Sequence, residues 1–137
     1  MSLLFYRPLQ NNAAEKLQGV IETEFPGEEI EIYHSTEGLS ERLRQASRGK
    51  CAVVLLAENM ADLRSLFSLK ALLADIRIIL VLPNRSEEVI AMGYKFHPRF
   101  LSYMDSDFSD VAVVLKKMIK LIGNNIHENG HVNASLN

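Results

Sequence analysis

Five short apolar runs, each of strand length, alternate along the chain with segments of helical periodicity. The runs cover residues 3–6, 30–33, 52–56, 76–82 and 100–103. Between them, apolar residues recur at intervals of three and four, as on one face of an α-helix. Strands that alternate with helices require right-handed crossovers, which give a mainly parallel sheet with helices on both faces. The sequence therefore predicts five βα units in a three-layer α/β/α sandwich with a five-stranded parallel sheet.

The composition of each run predicts where its strand lies in the sheet. Residues 52–56 and 76–82 are almost continuously apolar, which is typical of central strands that are covered on both faces. Glu31 interrupts the run 30–33 and favours a position nearer an edge. Asx residues followed three positions later by an acid predict four helix starts, at Asn12, Asn59, Asn84 and Asp107.

The length of 137 residues fits one domain, and the contents of 47% apolar and 23% charged residues are typical of a globular protein. The net charge of -2 is small and the charges are interspersed, so we expect no nucleic-acid or membrane partner. A single Cys51 and the absence of a basic leader favour a cytoplasmic location. Residues 1–123 are predicted to form the domain, and residues 124–137, which are polar and lack periodicity, a flexible C-terminal tail.

The order of units and several local phrases resemble the CheY-like receiver domain of bacterial two-component signalling. Residues 52–56 and 76–83 are similar to the third and fourth strands of that family, Ile90-Ala-Met-Gly93 to the end of its fourth helix, and Phe100-Leu-Ser-Tyr103 to its fifth strand. The resemblance spans nearly the whole chain and implies a flavodoxin-like (βα)5 fold. It also implies a phosphoryl-transfer site, in which acids hold Mg²⁺, an Asp accepts the phosphoryl group, and a hydroxyl and a Lys contact its oxygens.

This chain departs from the family pattern at each position that takes part in phosphoryl transfer. The acidic pair falls on Arg7 and Pro8, the nucleophile on Ala57, the hydroxyl on Pro83 and the Lys on Tyr103. Arg7 would repel Mg²⁺, Ala57 offers no oxygen, and Pro83 has no hydroxyl. We therefore expect a pseudo-receiver, which signals by binding other proteins and which is not an enzyme and needs no metal or cofactor.

Glu58 is the nearest acid to the acceptor position, because a one-residue shift places it there. Its carboxylate could then imitate a phosphoryl charge and pair with Arg7. We favour the alternative that Glu58 is a solvated residue before the Asn59 cap. Two other hypotheses stay open: a receiver that is still phosphorylated at Glu58 or Asp105, and a small-ligand-binding protein or enzyme that uses the crevice at the strand ends.

An aromatic segment joins the predicted fourth helix to the fifth strand. In receivers the surface of the fourth helix, fifth strand and fifth helix is the usual dimer or effector surface, so the resemblance implies a protein partner there, with a homodimer as one form. The interface candidates are Tyr94, Phe96, Phe100 and Tyr103. The alternative is that these rings only close the end of the core.

Two further patterns carry weaker predictions. Lys116, Lys117 and Lys120 fall on the polar side of the last helix, where a solvated face is favoured over an acidic partner or a phosphate backbone. His127-Glu-Asn-Gly-His131 matches a zinc-binding helix pattern literally, but Gly130 interrupts it and no third ligand follows. We expect no zinc site there.

Overall fold

The computed structural model describes residues 2–45 and 50–136, and the side chains of these residues up to position 123. Within these ranges the five strands are β1 Ser2–Tyr6, β2 Ile30–Tyr33, β3 Cys51–Leu56, β4 Arg77–Leu82 and β5 Phe100–Tyr103. The helices are α1 Asn12–Glu24, α2 Thr36–Arg44, α3 Met60–Phe67, α4 Lys70–Leu73, α5 Glu87–Tyr94 and α6 Ser109–Leu136. None of the described helices is long and apolar enough to cross a membrane.

All five strands are parallel and lie in the order β2-β1-β3-β4-β5. This arrangement confirms the predicted flavodoxin-like (βα)5 fold. The central strand β3 is buried at every residue, whereas β2 lies at an edge and is only half-buried, as its interrupted apolar pattern predicts. The strand order reverses between β1 and β3, and in such sheets ligands bind outside the carboxyl ends of the strands at this point.

Two hydrophobic cores lie on opposite faces of the sheet, because side chains alternate along each strand. Leu4 and Val53 face the core that is covered by α2, α3, α4 and α5. Leu3 and Val54 face the core beneath α1 and α6, to which Leu17 and Leu115 also belong. The domain is therefore a three-layer sandwich.

The third helical segment consists of two helices, α3 and α4, so the fourth helix of the five predicted units is α5 and the fifth is α6. Helix α6 is assigned as far as Leu136. Since the side chains beyond residue 123 lie outside the described part, the division of the chain into a domain and a flexible tail stays a prediction.

The helix caps agree with the sequence pattern at α3 and differ from it at α1 and α5. The side chain of Asn59 caps α3, and its Oδ1 accepts from the Asp62 N–H at 2.8 Å. At α1 the cap is Asn11 rather than Asn12, because Asn11 has the extended backbone of a cap residue and accepts from the Ala14 N–H. At α5 the cap is Ser86 rather than Asn84.

Candidate functional site at the carboxyl ends of the strands

The predicted site positions lie together on the side of the sheet where the carboxyl ends of the parallel strands are found, which is called this edge of the sheet below. Each position lies at the end of a strand or in the first residues after it, and parallel strands end at the same edge. The positions are Arg7 and Pro8 after β1, Ala57 and Glu58 after β3, Pro83 after β4, and Tyr103 at the end of β5.

Arg7 is buried and holds the loop between β1 and α1. Its backbone N–H donates to the carbonyl of Tyr33 at 2.9 Å, which extends the pairing of β1 with β2 by one residue. Its side chain, only 4% exposed, folds back over the loop. The Nε atom donates to the carbonyl of Pro8 at 2.8 Å, and Nη2 donates to the carbonyl of Leu9 at 2.9 Å. These bonds satisfy two loop carbonyls that have no partner in a helix or strand.

The same guanidinium also reaches helix α1. Nη1 donates to Oε1 of Gln18 at 2.9 Å, and Nη2 donates to Oε1 of Glu15 at 2.8 Å. The hydrogen bond from Arg7 to Glu15, and after it the positive charge of Arg7, holds the pKa of the Glu15 carboxyl below its ordinary value. Since Arg7 pairs with Glu15, the pairing of Arg7 with Glu58 that the sequence suggested is wrong. A buried cation with engaged donors thus lies at the first of the predicted site positions.

Glu58 lies in the loop before α3 and is exposed. Its Oε2 accepts from Nδ2 of Asn11 at 3.3 Å, and its backbone N–H donates to Oδ2 of Asp62 at 3.1 Å. The bond to Asn11 connects the loops that follow β1 and β3, the two strands at the switch in strand order. This placement agrees with the favoured interpretation of Glu58 as a solvated residue before the Asn59 cap.

Ala57 is the first residue after β3 and is fully buried. Its backbone N–H donates to the carbonyl of Val81 at 3.0 Å, and its methyl group belongs to the core beneath α2, α3, α4 and α5. The residue at the predicted nucleophile position therefore contributes packing and presents no polar side-chain atom.

Tyr6 and Asp62 form a contact at this edge that the sequence did not predict. The Tyr6 hydroxyl donates to Oδ1 of Asp62 at 2.6 Å. Burial, and after it the hydrogen bond to Asp62, raises the pKa of the Tyr6 phenol far above its ordinary value. Asp62 thus accepts from Tyr6 on β1 while it also accepts from the Glu58 N–H. The only sequence signal for Asp62 was its spacing from the Asn59 cap, which indicates a helix start and not a contact with β1.

A second polar cluster lies at the ends of β4 and β5. The Arg85 guanidinium stands 4.1 Å above the centre of the Tyr103 ring and pairs with Oδ2 of Asp105 at 2.5 Å. Arg85 lowers the pKa of Asp105 through this hydrogen bond and its charge. The alternative phosphoacceptor Asp105 is therefore an ionised partner of Arg85. Pro83, at the predicted hydroxyl position, is half-buried.

The four aromatic interface candidates differ in exposure. Tyr94 is 63% exposed at the end of α5, whereas Phe96 is 6% exposed and packs edge-on against Phe67 with ring centres 5.3 Å apart. Phe100 and Tyr103 are half-buried on the edge strand β5. Phe96 thus closes the end of the core, as the alternative interpretation has it, and Tyr94 lies free on the surface. A further exposed apolar side chain, which the sequence pattern did not indicate, is Leu121 on α6, at 51% exposure.

A metal site at this edge would need several His, Cys, Asp or Glu side chains close together. In the part of the chain whose side chains are described, no group of three or more His, Cys, Asp or Glu residues is placed to hold a metal ion. His127, Glu128 and His131 lie outside those residues. The arrangement at the strand ends is consequently one of buried or paired polar groups, which fix loops and helix starts.

No protein-family model matches the sequence, and a comparison with characterised proteins finds no match either.

Proposed function

We propose that the domain is a pseudo-receiver, a non-catalytic signalling module that binds another protein and is not phosphorylated on an aspartate. The observation that carries this proposal is the buried Arg7 guanidinium, which is bonded to Pro8, Leu9, Glu15 and Gln18. Phosphoryl transfer of the receiver type needs carboxylates around a divalent cation. A fixed positive charge at that position opposes binding of the cation.

The remaining site positions support the same proposal. Ala57 presents a methyl group to the core and no nucleophile. Glu58 and Asp105 have carboxylates, but Glu58 accepts from Asn11 and Asp105 pairs with Arg85. Among the residues whose side chains are described, neither of these candidate acids is therefore free of a partner.

The α5–β5–α6 surface, defined here by Tyr94, Phe100, Tyr103 and Leu121, is the proposed docking surface. Leu121 follows Ala112 by nine residues, or about two and a half helical turns, so it projects from the opposite side of α6. Ala112 lies beside Val20 of α1. Leu121 therefore lies on the side of α6 that is away from α1, towards the edge strand β5.

This surface has the composition of a protein-binding site. Tyr94 and Leu121 are two of the four most exposed large apolar side chains among the described residues. The exposed cations Lys95 and Arg99 lie close to Tyr94 in the chain. Apolar anchors within a polar rim are the usual anatomy of protein interfaces. The partner is a signalling protein, and a second copy of the domain is one form of it.

The experiment is affinity capture with the intact protein, with Tyr94→Ala and Leu121→Ala, and with Leu9→Ala as the matched control. Leu9 is an exposed apolar residue, 71% accessible, in the loop after β1. We expect Tyr94→Ala and Leu121→Ala to lose the same partner, while Leu9→Ala retains it and all three variants keep the unfolding midpoint of the parent. Retention of every partner by both Tyr94→Ala and Leu121→Ala would contradict the proposed surface.

A thermal-shift panel of nucleotides and flavins tests the hypothesis of a ligand-binding protein or enzyme. A ligand that binds the folded state raises its unfolding temperature by mass action. The proposal predicts no rise with any member of the panel. A rise that Glu58→Gln or Tyr6→Phe abolishes would instead favour a ligand site at the strand ends.

A further inference from the structure

A groove of about 280 Å³ runs between α1 and the first turns of α6, on the opposite side of α6 from Leu121. Its residues include Val20 and Glu24 from α1, and Asp107, Ala112, Val113 and Lys116 from the start of α6. Val113 is 54% exposed beside it. A large apolar side chain thus stands next to a groove with a partly apolar lining.

Charges are arranged antisymmetrically about Val113. Asp110 lies three residues before Val113, and Lys116 three residues after it. Asp107 and Lys120 repeat this relation at about twice the distance. Hydrogen bonds from Ser109 hold the pKa of Asp107 below its ordinary value, so this carboxylate is charged at neutral pH. Along α6 and the loop before it, acids therefore precede Val113 and lysines follow it.

We infer that the α1–α6 groove binds a second copy of this chain through a two-fold axis beside Val113. A two-fold axis places two α6 helices antiparallel, so that each residue before Val113 faces a residue after Val113 in the second copy. Asp110 of each chain then faces Lys116 of the other, and Asp107 faces Lys120. Val113 of each copy packs into the groove that Val20 and Ala112 line in the other.

The contacts within one chain leave these charges available. Lys116 pairs with Glu24 at 3.3 Å, but both side chains are about half exposed, so the pair is weak and can share the lysine with a second acid. Lys120 is exposed and forms no ion pair with the residues whose side chains are described. A small apolar centre with charged ends fits a transient dimer rather than a permanent one. This inference goes beyond the proposed function and does not depend on it.

The test uses two variants with opposite charge changes. The acidic variant carries Lys116→Glu, and the basic variant carries Asp110→Lys. Each puts like charges opposite each other in its own dimer, so we expect the dimer dissociation constant to rise by about tenfold or more. An equimolar mixture restores opposite charges across the axis, so it should form a heterodimer. Sedimentation velocity measures both effects.

Three controls make the outcome decisive. Glu41→Lys changes an exposed charge on α2, which packs against the opposite face of the sheet, and should leave the dimer unchanged. High salt should weaken the dimer of the unmodified chain, because exposed charges are screened. Recovery of the heterodimer shows that both charge variants are folded.

The inference is overturned if the unmodified chain stays monomeric at all concentrations, or if the mixture of the two charge variants forms no heterodimer although each variant unfolds cooperatively. A dimer that Tyr94→Ala abolishes and that the charge variants retain also overturns it. That result would assign self-association to the α5–β5–α6 surface and leave the proposed function intact.

Discussion

Arg7 is a buried cation whose side-chain N–H groups donate to residues that lie close to it in the sequence. Four of its bonds go to residues 8, 9, 15 and 18, so the guanidinium stabilises the loop after β1 together with the start of α1. A guanidinium has five N–H donors in a fixed plane, which Lys cannot reproduce. The contacts to the loop and to α1 therefore explain why an arginine stands at position 7, and no bound ligand is needed to explain it.

Replacing Arg7 with Met should destabilise the domain, because the carbonyls of Pro8 and Leu9 and the amide of Gln18 lose their donors. We expect a loss of roughly 2–3 kcal/mol in the free energy of unfolding by urea. Arg85→Met removes an exposed guanidinium from the same edge and should cost much less. Equal losses in the two variants would contradict a structural role for Arg7.

Glu31 couples the stability of the domain to pH through Arg42. The Arg42 side chain donates to both oxygens of the Glu31 carboxylate, from Nε at 2.7 Å and from Nη2 at 3.2 Å. These hydrogen bonds lower the pKa of Glu31 in the folded protein below the ordinary value of 4.5. A lowered folded pKa contributes stability above the unfolded pKa, and this contribution is lost as the pH falls through the folded pKa.

We therefore expect Glu31→Gln to be less stable than the parent at neutral pH, and the difference to shrink as the pH falls below about 4.5. Urea unfolding at several pH values measures the difference. Glu41→Gln, which changes an exposed carboxyl on the same helix as Arg42, is the control and should show a small difference throughout. A Glu31→Gln difference that does not depend on pH would contradict the ion pair.

At the scale of elements, strand positions were predictable and helix starts only in part. Continuous apolar runs predicted β3 and β4, since full burial requires such a composition. The spacing of an Asx residue and an acid cannot decide between Asn11 and Asn12, because capping depends on which residue has an extended backbone. The backbone conformation of Phe108, the residue before α6, was not predictable from the sequence. Its φ of 64° is unfavourable for a bulky side chain. Its ring is fully buried, and this packing holds the backbone there.

Substitution of the two asparagines at the start of α1 distinguishes the cap in the structure, Asn11, from Asn12, which the spacing suggested. Asn11→Ala should cost about 1 kcal/mol in the free energy of unfolding, because the Ala14 N–H loses its acceptor. Asn12→Ala should be close to neutral, since Asn12 is exposed in the first turn. The reverse order of the two losses, measured by urea unfolding, would place the cap one residue later.

At the scale of the whole molecule, the fold was predictable and the contacts of the site were not. Alternating strands and helices leave few arrangements that bury both faces of a parallel sheet, so the three layers follow from the pattern. The missing acids at positions 7, 8 and 57 were also readable from the sequence. The bonds of Arg7 to Glu15, Tyr6 to Asp62 and Arg85 to Asp105 depend on side-chain directions in three dimensions, which residue spacing does not give.

We propose that the carboxyl ends of the strands do not accept a phosphoryl group. The most direct measurement is the intact mass of the protein after incubation with acetyl phosphate and Mg²⁺, beside a phosphorylatable receiver as a positive control. We expect an unchanged mass for the protein while the control gains a phosphoryl group. A phosphoryl adduct that disappears in Glu58→Gln or in Asp105→Asn would contradict it.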